Sequence, residues 1–98
     1  HLALREENEL VACLVLKPLD ERCIKIRQLA VRESSQGKGC GRELVNYAES
    51  FVRERGYAEI VLHARETALG FYEKLGYQIE GNPFTEVGLP HLAMRKKL

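Results

Sequence analysis

Gln36-Gly37-Lys38-Gly39-Cys40-Gly41-Arg42 is the stretch on which the rest of the chain turns, because it stands between a strand-like and a helix-like segment. On its N-terminal side Ile24 and Ile26 alternate with Lys25 and Arg27, and Leu29-Ala30-Val31 is then apolar throughout. The period of two predicts a strand from Cys23 that enters the core as it proceeds. On its C-terminal side Leu44, Val45, Ala48 and Val52 recur at helical spacing with Phe51 beside them, while Glu49, Arg53 and Glu54 lie elsewhere on the helix. Gly56 follows Arg53-Glu54-Arg55, where a glycine can take the left-handed conformation that ends a helix and cations suit the negative helix end. A glycine-rich turn from strand to helix lets backbone approach a ligand closely, and the first helical N–H groups favour an anion such as a pyrophosphate. Lys38 and Arg42 add positive charge there.

Spacing separates the phosphate loops this stretch could form. A triphosphatase loop of the GxxxxGK[ST] type is excluded, since Gly37-Lys38 is followed by Gly39 and not by a magnesium-binding hydroxyl. A dinucleotide fingerprint starting at Gly37 needs glycine at position 42, which is Arg42. The remaining alternative to an anion site is a flexible connection with no ligand.

Outward from this core, Ile60-Val61-Leu62 within Glu59 to Ala64 predicts a buried strand. Ala68, Phe71, Tyr72 and Leu75 return to helical spacing, with Gly76 as a second helix end. A strand from Tyr77, a loop holding Gly81, Pro83, Gly88 and Pro90, and a final strand through Leu92-Ala93-Met94 complete the chain. Towards the N-terminus, Leu2 to Leu4 and Leu10 to Leu16 flank the polar connection Arg5-Glu6-Glu7-Asn8-Glu9 and read as an antiparallel pair. Lys17-Pro18-Leu19-Asp20-Glu21 carries turn chemistry, with Asp20 as a local acceptor. The order is written βββαβαβ. It implies an α/β (α+β) architecture with a mixed sheet, antiparallel at its start and joined later by helical crossovers.

Composition bounds the function. Ninety-eight residues, 45% hydrophobic, suffice for one core and one domain, 1–98, but not for two. Fifteen Lys and Arg against 14 Asp and Glu leave a net charge of +1, which argues against a nucleic-acid surface or an anionic membrane as partner. No apolar run approaches the ~20 residues of a membrane span and no signal-peptide pattern opens the chain, so a cytoplasmic location is expected. Cys13, Cys23 and Cys40 are odd in number and irregularly spaced, so they read as free thiols, and no metal site is expected.

Two blocks resemble the GNAT superfamily of acetyl-CoA-dependent N-acetyltransferases. Gln36-Gly37-Lys38-Gly39-Cys40-Gly41 matches its [Gln/Arg]-x-x-Gly-x-[Gly/Ala] signature, and Leu29-Ala30-Val31 is similar to the strand before that loop. Ala68-Leu69-Gly70-Phe71-Tyr72-Glu73-Lys74-Leu75-Gly76-Tyr77 is similar to the later family helix, A-x-x-F-Y-x-K-x-G-[FY]. The ending Glu86 to Lys96 further resembles the bacterial ElaA-like subgroup. The resemblance covers nearly the whole chain. The family's usual first strand and two helices have no counterpart, so His1 is expected to be a boundary within a larger unit, or a second copy to cover the acceptor side.

The resemblance implies acetyl-CoA as cosubstrate and a primary amine of a small molecule or protein as acceptor. Its cofactor residues carry over onto Leu29, Ala30, Val31, Gln36, Gly37, Lys38, Gly39, Cys40, Gly41 and Arg42, with Tyr72 near the sulfur as the acid for the departing thiolate. Arg65 stands where many members have an asparagine, and is assigned to a phosphate. His63 has a titration range suited to proton transfer and is the candidate base, since Gln28 cannot accept a proton. His91 and Glu86 are expected at the acceptor site. Tyr72 and His63 also admit purely structural readings, as core packing and as a satisfied strand residue. The alternative function is a catalytically silent acyl-CoA-binding regulatory or interaction module.

Overall fold

The computed structural model describes residues 2–6, 9–32 and 39–98. Its elements are β1 (Leu2–Glu6), β2 (Glu9–Pro18), β3 (Cys23–Val31), α1 (Cys40–Glu54), β4 (Glu59–Arg65), a single 3₁₀ turn (Glu66–Ala68), α2 (Leu69–Lys74), β5 (Gln78–Glu86) and β6 (Leu89–Lys97). The strands form one mixed sheet in the order β1-β2-β3-β4-β6-β5. β3 and β4 are parallel neighbours, as a helical crossover through α1 requires, and every other neighbouring pair is antiparallel.

The mixed sheet, the two helices and the six strands are those named along the sequence, so the order has one β more than the string βββαβαβ written for them. Residues 84–86 and 89–90, expected in a loop, are paired into the β5–β6 hairpin, residues 81–83 fall within β5 where the register shifts, and the order is βββαβαββ. Gly81 and Pro83 fall where the register shifts between Glu80 and Phe84, so the breakers mark an irregularity inside a strand and do not end it. The hairpin closes through Val87 and Gly88, both at positive φ (53° and 73°). Two positive-φ residues match the right-handed twist of a hairpin, but a β-branched valine there is strained by about 1–3 kcal/mol.

The helix ends are set by glycine as expected. Gly56 (φ +90°) donates to Arg53 O and Tyr57 N–H to Val52 O, each at 3.1 Å, while Gly76 (φ +96°) and Tyr77 repeat the arrangement at the end of α2. The turn before β3 also has its expected acceptor, Asp20 Oδ1, which takes the N–H groups of Arg22 and Cys23 at 2.7 and 2.8 Å. These backbone bonds hold the Asp20 carboxyl below its ordinary range.

The core lies between the sheet and α1. Leu44, Val45, Ala48 and Val52 are buried against Leu14, Ile24, Ile26, Ile60, Leu62 and Met94. Full burial of a Leu or Val is worth about 1.5–3 kcal/mol. Tyr72 and Tyr77 extend this cluster under α2, so both helices cover the same face of the sheet. Glu49, expected outside the apolar stripe, is also buried: its carboxylate accepts from Tyr77 Oη at 3.0 Å and from Lys96 Nζ at 3.0 and 3.1 Å. Lys96 also donates to Leu75 O at 2.7 Å. The network ties α1, the end of α2 and β6 together.

Candidate functional site

The site begins with a defect in the sheet. Val15 pairs with Gln28 but Leu16 pairs with Ile26, so Arg27 is an extra residue on β3. An extra residue inverts the alternation, and the core-packed positions change from Ile24 and Ile26 to Leu29 and Val31, leaving Ala30 exposed. At the same point β3 leaves β4. The last rung between them is Ile26 with Leu62; among the described residues, β3 from Arg27 onward pairs with β2 and β4 from His63 onward pairs with β6. The two parallel strands therefore open towards their C-terminal ends. This corrects the expectation that β3 enters the core as it proceeds: burial falls along it because its neighbour has gone.

The glycine-rich stretch ends at this opening. Gln36, Gly37 and Lys38, three of the expected cofactor residues, lie outside the described residues. Gly39 caps α1 at φ +81°, and no side-chain cap occurs among the described residues. The first helical bond runs from Glu43 N–H to Gly39 O at 2.9 Å, so the N–H groups of Cys40, Gly41 and Arg42 precede it and have no acceptor within the helix. The Cys40 side chain is buried, which leaves its N–H as the group it can offer a ligand. A Cβ on Gly41 would lie 3.3 Å from Phe71 and 3.5 Å from Val31, so glycine brings the first turn of α1 close to α2 and to the end of β3. Arg42 folds back over the cap, with Nη2 3.6 Å from where a Gly39 Cβ would sit. A cation at a helix N-terminus is electrostatically unfavourable by itself and becomes favourable beside an anion.

Tyr72 reaches this region from the helix face. It is 8% exposed, edge-on to Phe71 and Tyr77 with ring centroids 4.9 and 5.8 Å away. Burial pushes its phenol above the ordinary range, so it stays a protonated donor at neutral pH. No fully buried side-chain polar atom lacks a partner among the described residues, and no side-chain bond engages the Tyr72 hydroxyl there, so its O–H reaches the surface of the cluster unspent.

His63 lies on the other face. Leu62 and Ala64 point into the core, so the residue between them points away from the helices, at the first position of β4 beyond the last β3 rung. Its Nδ1 is 3.0 Å from Glu86 Oε2 and 3.4 Å from Lys25 Nζ, and its ring meets Phe84 edge-on at 4.9 Å. Phe84 stacks in turn on His91 at 6.1 Å. His91 is buried and donates Nδ1–H to Leu89 O at 2.9 Å, which makes it a satisfied part of the hairpin. Arg65 is exposed at the end of β4 on the same face as His63.

The structure thus brings Leu29, Ala30, Val31, Gly39, Cys40, Gly41, Arg42 and Tyr72 to one end of the sheet, with His63 and Arg65 across the opening. Sequence reasoning missed Lys25 and Phe84 as neighbours of His63. The period-two pair Phe84 and Glu86 was the available signal, hidden by the glycines and prolines around it. A cleft of about 490 Å³ beside Gly76, Gln78, Glu80, Arg95 and Lys97 lies at the far end of β6, and there Arg95 is already engaged by Glu59 and Glu80. No group of three or more His, Cys, Asp or Glu arranged to hold a metal occurs among the described residues, and no helix there is long and apolar enough to cross a membrane.

Comparison with known proteins bears on this arrangement. A family model described as an acetyltransferase (GNAT) domain matches residues 1–98. An uncharacterised protein of Bacillus subtilis (strain 168) is 35% identical over 74 residues, covering 76% of this chain and 50% of its own length. An aminoglycoside 6′-acetyltransferase type Ii superposes with a TM-score of 0.85 at 30% identity, covering 97% of this chain and 66% of that one. An aminoglycoside 6′-N-acetyltransferase complexed with coenzyme A does so with a TM-score of 0.87 at 25% identity, covering 97% and 70%. The chain spans about half the length of the curated relatives it matches first.

Proposed function

This chain belongs to the GNAT acetyltransferase family, and on that premise we propose that it transfers an acetyl group from acetyl-CoA to a primary amine by direct attack. The observation that supports this most is the opening between β3 and β4, with the Gly39-capped N-terminus of α1 and its free first-turn N–H groups at its mouth. In this reading the pyrophosphate lies over the N–H groups of Cys40, Gly41 and Arg42 and beside the Arg42 guanidinium. The pantetheine and thioester run along the backbone of Leu29, Ala30 and Val31, where the N–H groups of Leu29 and Val31 polarise the carbonyl, and Arg65 meets a phosphate from the β4 side.

The chemistry demands a base and an acid. An amine of pKa ~10.4 is neutral in about one molecule in several thousand at pH 7, a deficit of ~4–5 kcal/mol. His63 takes the proton of the attacking amine from one face of the sheet, and Tyr72 delivers a proton to the departing thiolate from the other. The products are an amide and CoA with a free thiol. The three free thiols of the chain, Cys13, Cys23 and Cys40, suit a reducing cytoplasm.

Release of CoA thiol in the presence of a panel of primary amines tests the reading. At least one amine is expected to give saturable, stoichiometric thiol release and a product heavier by one acetyl group. Tight acetyl-CoA binding with no transfer to any amine, peptide or aminoglycoside in the panel would contradict it.

A further inference from the structure

We propose that Glu86 is a positioning residue that selects the proton arrangement of His63: the ring carries its proton on Nδ1, donated to Glu86, and presents an unprotonated Nε2 to the acceptor. The inference rests on the acetyl-transfer reading above and gives its base a defined state. A neutral imidazole has one donor and one acceptor nitrogen, and only the acceptor nitrogen can take a proton from an amine.

Two neighbours compete for the same nitrogen. Glu86 Oε2, a carboxylate that can only accept, is 3.0 Å from Nδ1 and requires a proton there. Lys25 Nζ, an ammonium that can only donate, is 3.4 Å from Nδ1 and requires that it be bare. The shorter contact is with Glu86, and the longer one is at the limit of a useful hydrogen bond. No side-chain bond engages Nε2 among the described residues, since both contacts of the ring are made through Nδ1.

The remaining surroundings fit a held ring. Phe84 fixes its plane edge-on from β5, and His91 lies behind Phe84 with its own Nδ1–H spent on Leu89 O. The other charged residues of β4 on this face are Arg65, two positions on, and Glu59, four positions back and engaged by Arg95. Glu86 is the last residue of β5, held against His63 by the two-residue turn in which Val87 adopts φ 53°. A β-branched residue kept in that conformation beside a candidate base is the kind of local strain that accompanies a constrained site.

The test is imidazole nitrogen NMR on the histidine-labelled chain, with the His63 signals assigned through His63→Gln, followed by steady-state kinetics. Above the titration of the ring, wild-type His63 is expected to show a protonated Nδ1 and a bare Nε2. Glu86→Ala is expected to move the proton to Nε2, to lower kcat about tenfold to a hundredfold and to leave the KM for acetyl-CoA within about twofold. Glu86→Gln keeps an oxygen acceptor and is expected to retain the Nδ1 proton and most of the lost rate. Glu86 is on the exposed end of a hairpin, so neither variant threatens the core. A wild-type ring protonated on Nε2, or a Glu86→Ala ring or kcat unchanged from wild type, overturns the proposal. A wild-type chain with the expected ring state but no transfer to any amine removes the acetyl-transfer reading and leaves the Glu86–His63 arrangement standing.

Discussion

Tyr72→Phe is expected to lower kcat for CoA release by about two to three powers of ten while leaving the KM for acetyl-CoA within about twofold. The substitution removes one oxygen and nothing else. Packing survives, because the ring's edge-on contacts with Phe71 and Tyr77 involve carbon, and no side-chain hydrogen bond to the hydroxyl is lost among the described residues. What disappears is the proposed proton donor for the thiolate. Burial raises the phenol pKa, so the donor form persists through neutral and mildly alkaline pH and activity lost through its ionisation appears only above the usual phenol range. Unfolding of the variant should follow the wild type within about 1 kcal/mol. An unchanged kcat would return Tyr72 to a packing role.

Lys96→Met is the largest expected loss of stability, about 2–4 kcal/mol, or on the order of 10–20 °C in Tm for a domain of this size. Glu49 is 6% exposed and holds its place through Lys96 and Tyr77. Removing the lysine leaves a buried carboxylate with a single phenolic donor. Removing one partner of a buried pair costs more than removing the pair, because the remaining charge stays desolvated. The triple substitution Glu49→Leu, Tyr77→Phe and Lys96→Met should therefore recover most of the loss. Both variants are read by denaturant unfolding, and a Lys96→Met chain as stable as wild type would mean the ion pair contributes nothing.

The same network shows where the sequence is silent. Glu49 stands at the edge of the α1 stripe, four residues after Val45 and three before Val52, and its charge rather than its spacing reads as solvated; the partners that bury it come from residues 28 and 47 positions away. Gly56, Gly76 and Asp20 were legible because their roles are local, set by backbone conformation within a few residues. The core stripe of α1 was legible for the same reason. The Arg27 bulge was not, since it exists only in the register between β2 and β3, and it reverses the inference drawn from Leu29-Ala30-Val31. Likewise Gly81, Pro83 and Pro90 are ordinary loop signals that the β5–β6 pairing overrides, and with that pairing came the contact between Glu86 and His63. Local chemistry points to the proposed anion site; non-local pairing builds the surroundings of the proposed base.

The central claim is that acetyl-CoA binds over the N-terminus of α1 in the opening between β3 and β4, and thermal unfolding with and without acetyl-CoA tests it most directly. At a ligand concentration 100 times Kd, binding adds ~2.7 kcal/mol to stability, which for a domain of this size raises Tm by roughly ten degrees or more. The predicted result is a saturable rise of that size, reproduced by CoA and reduced in Gly39→Ala, where a side chain is forced into φ +81° at the cap. A Tm that stays constant up to millimolar acetyl-CoA would contradict the account.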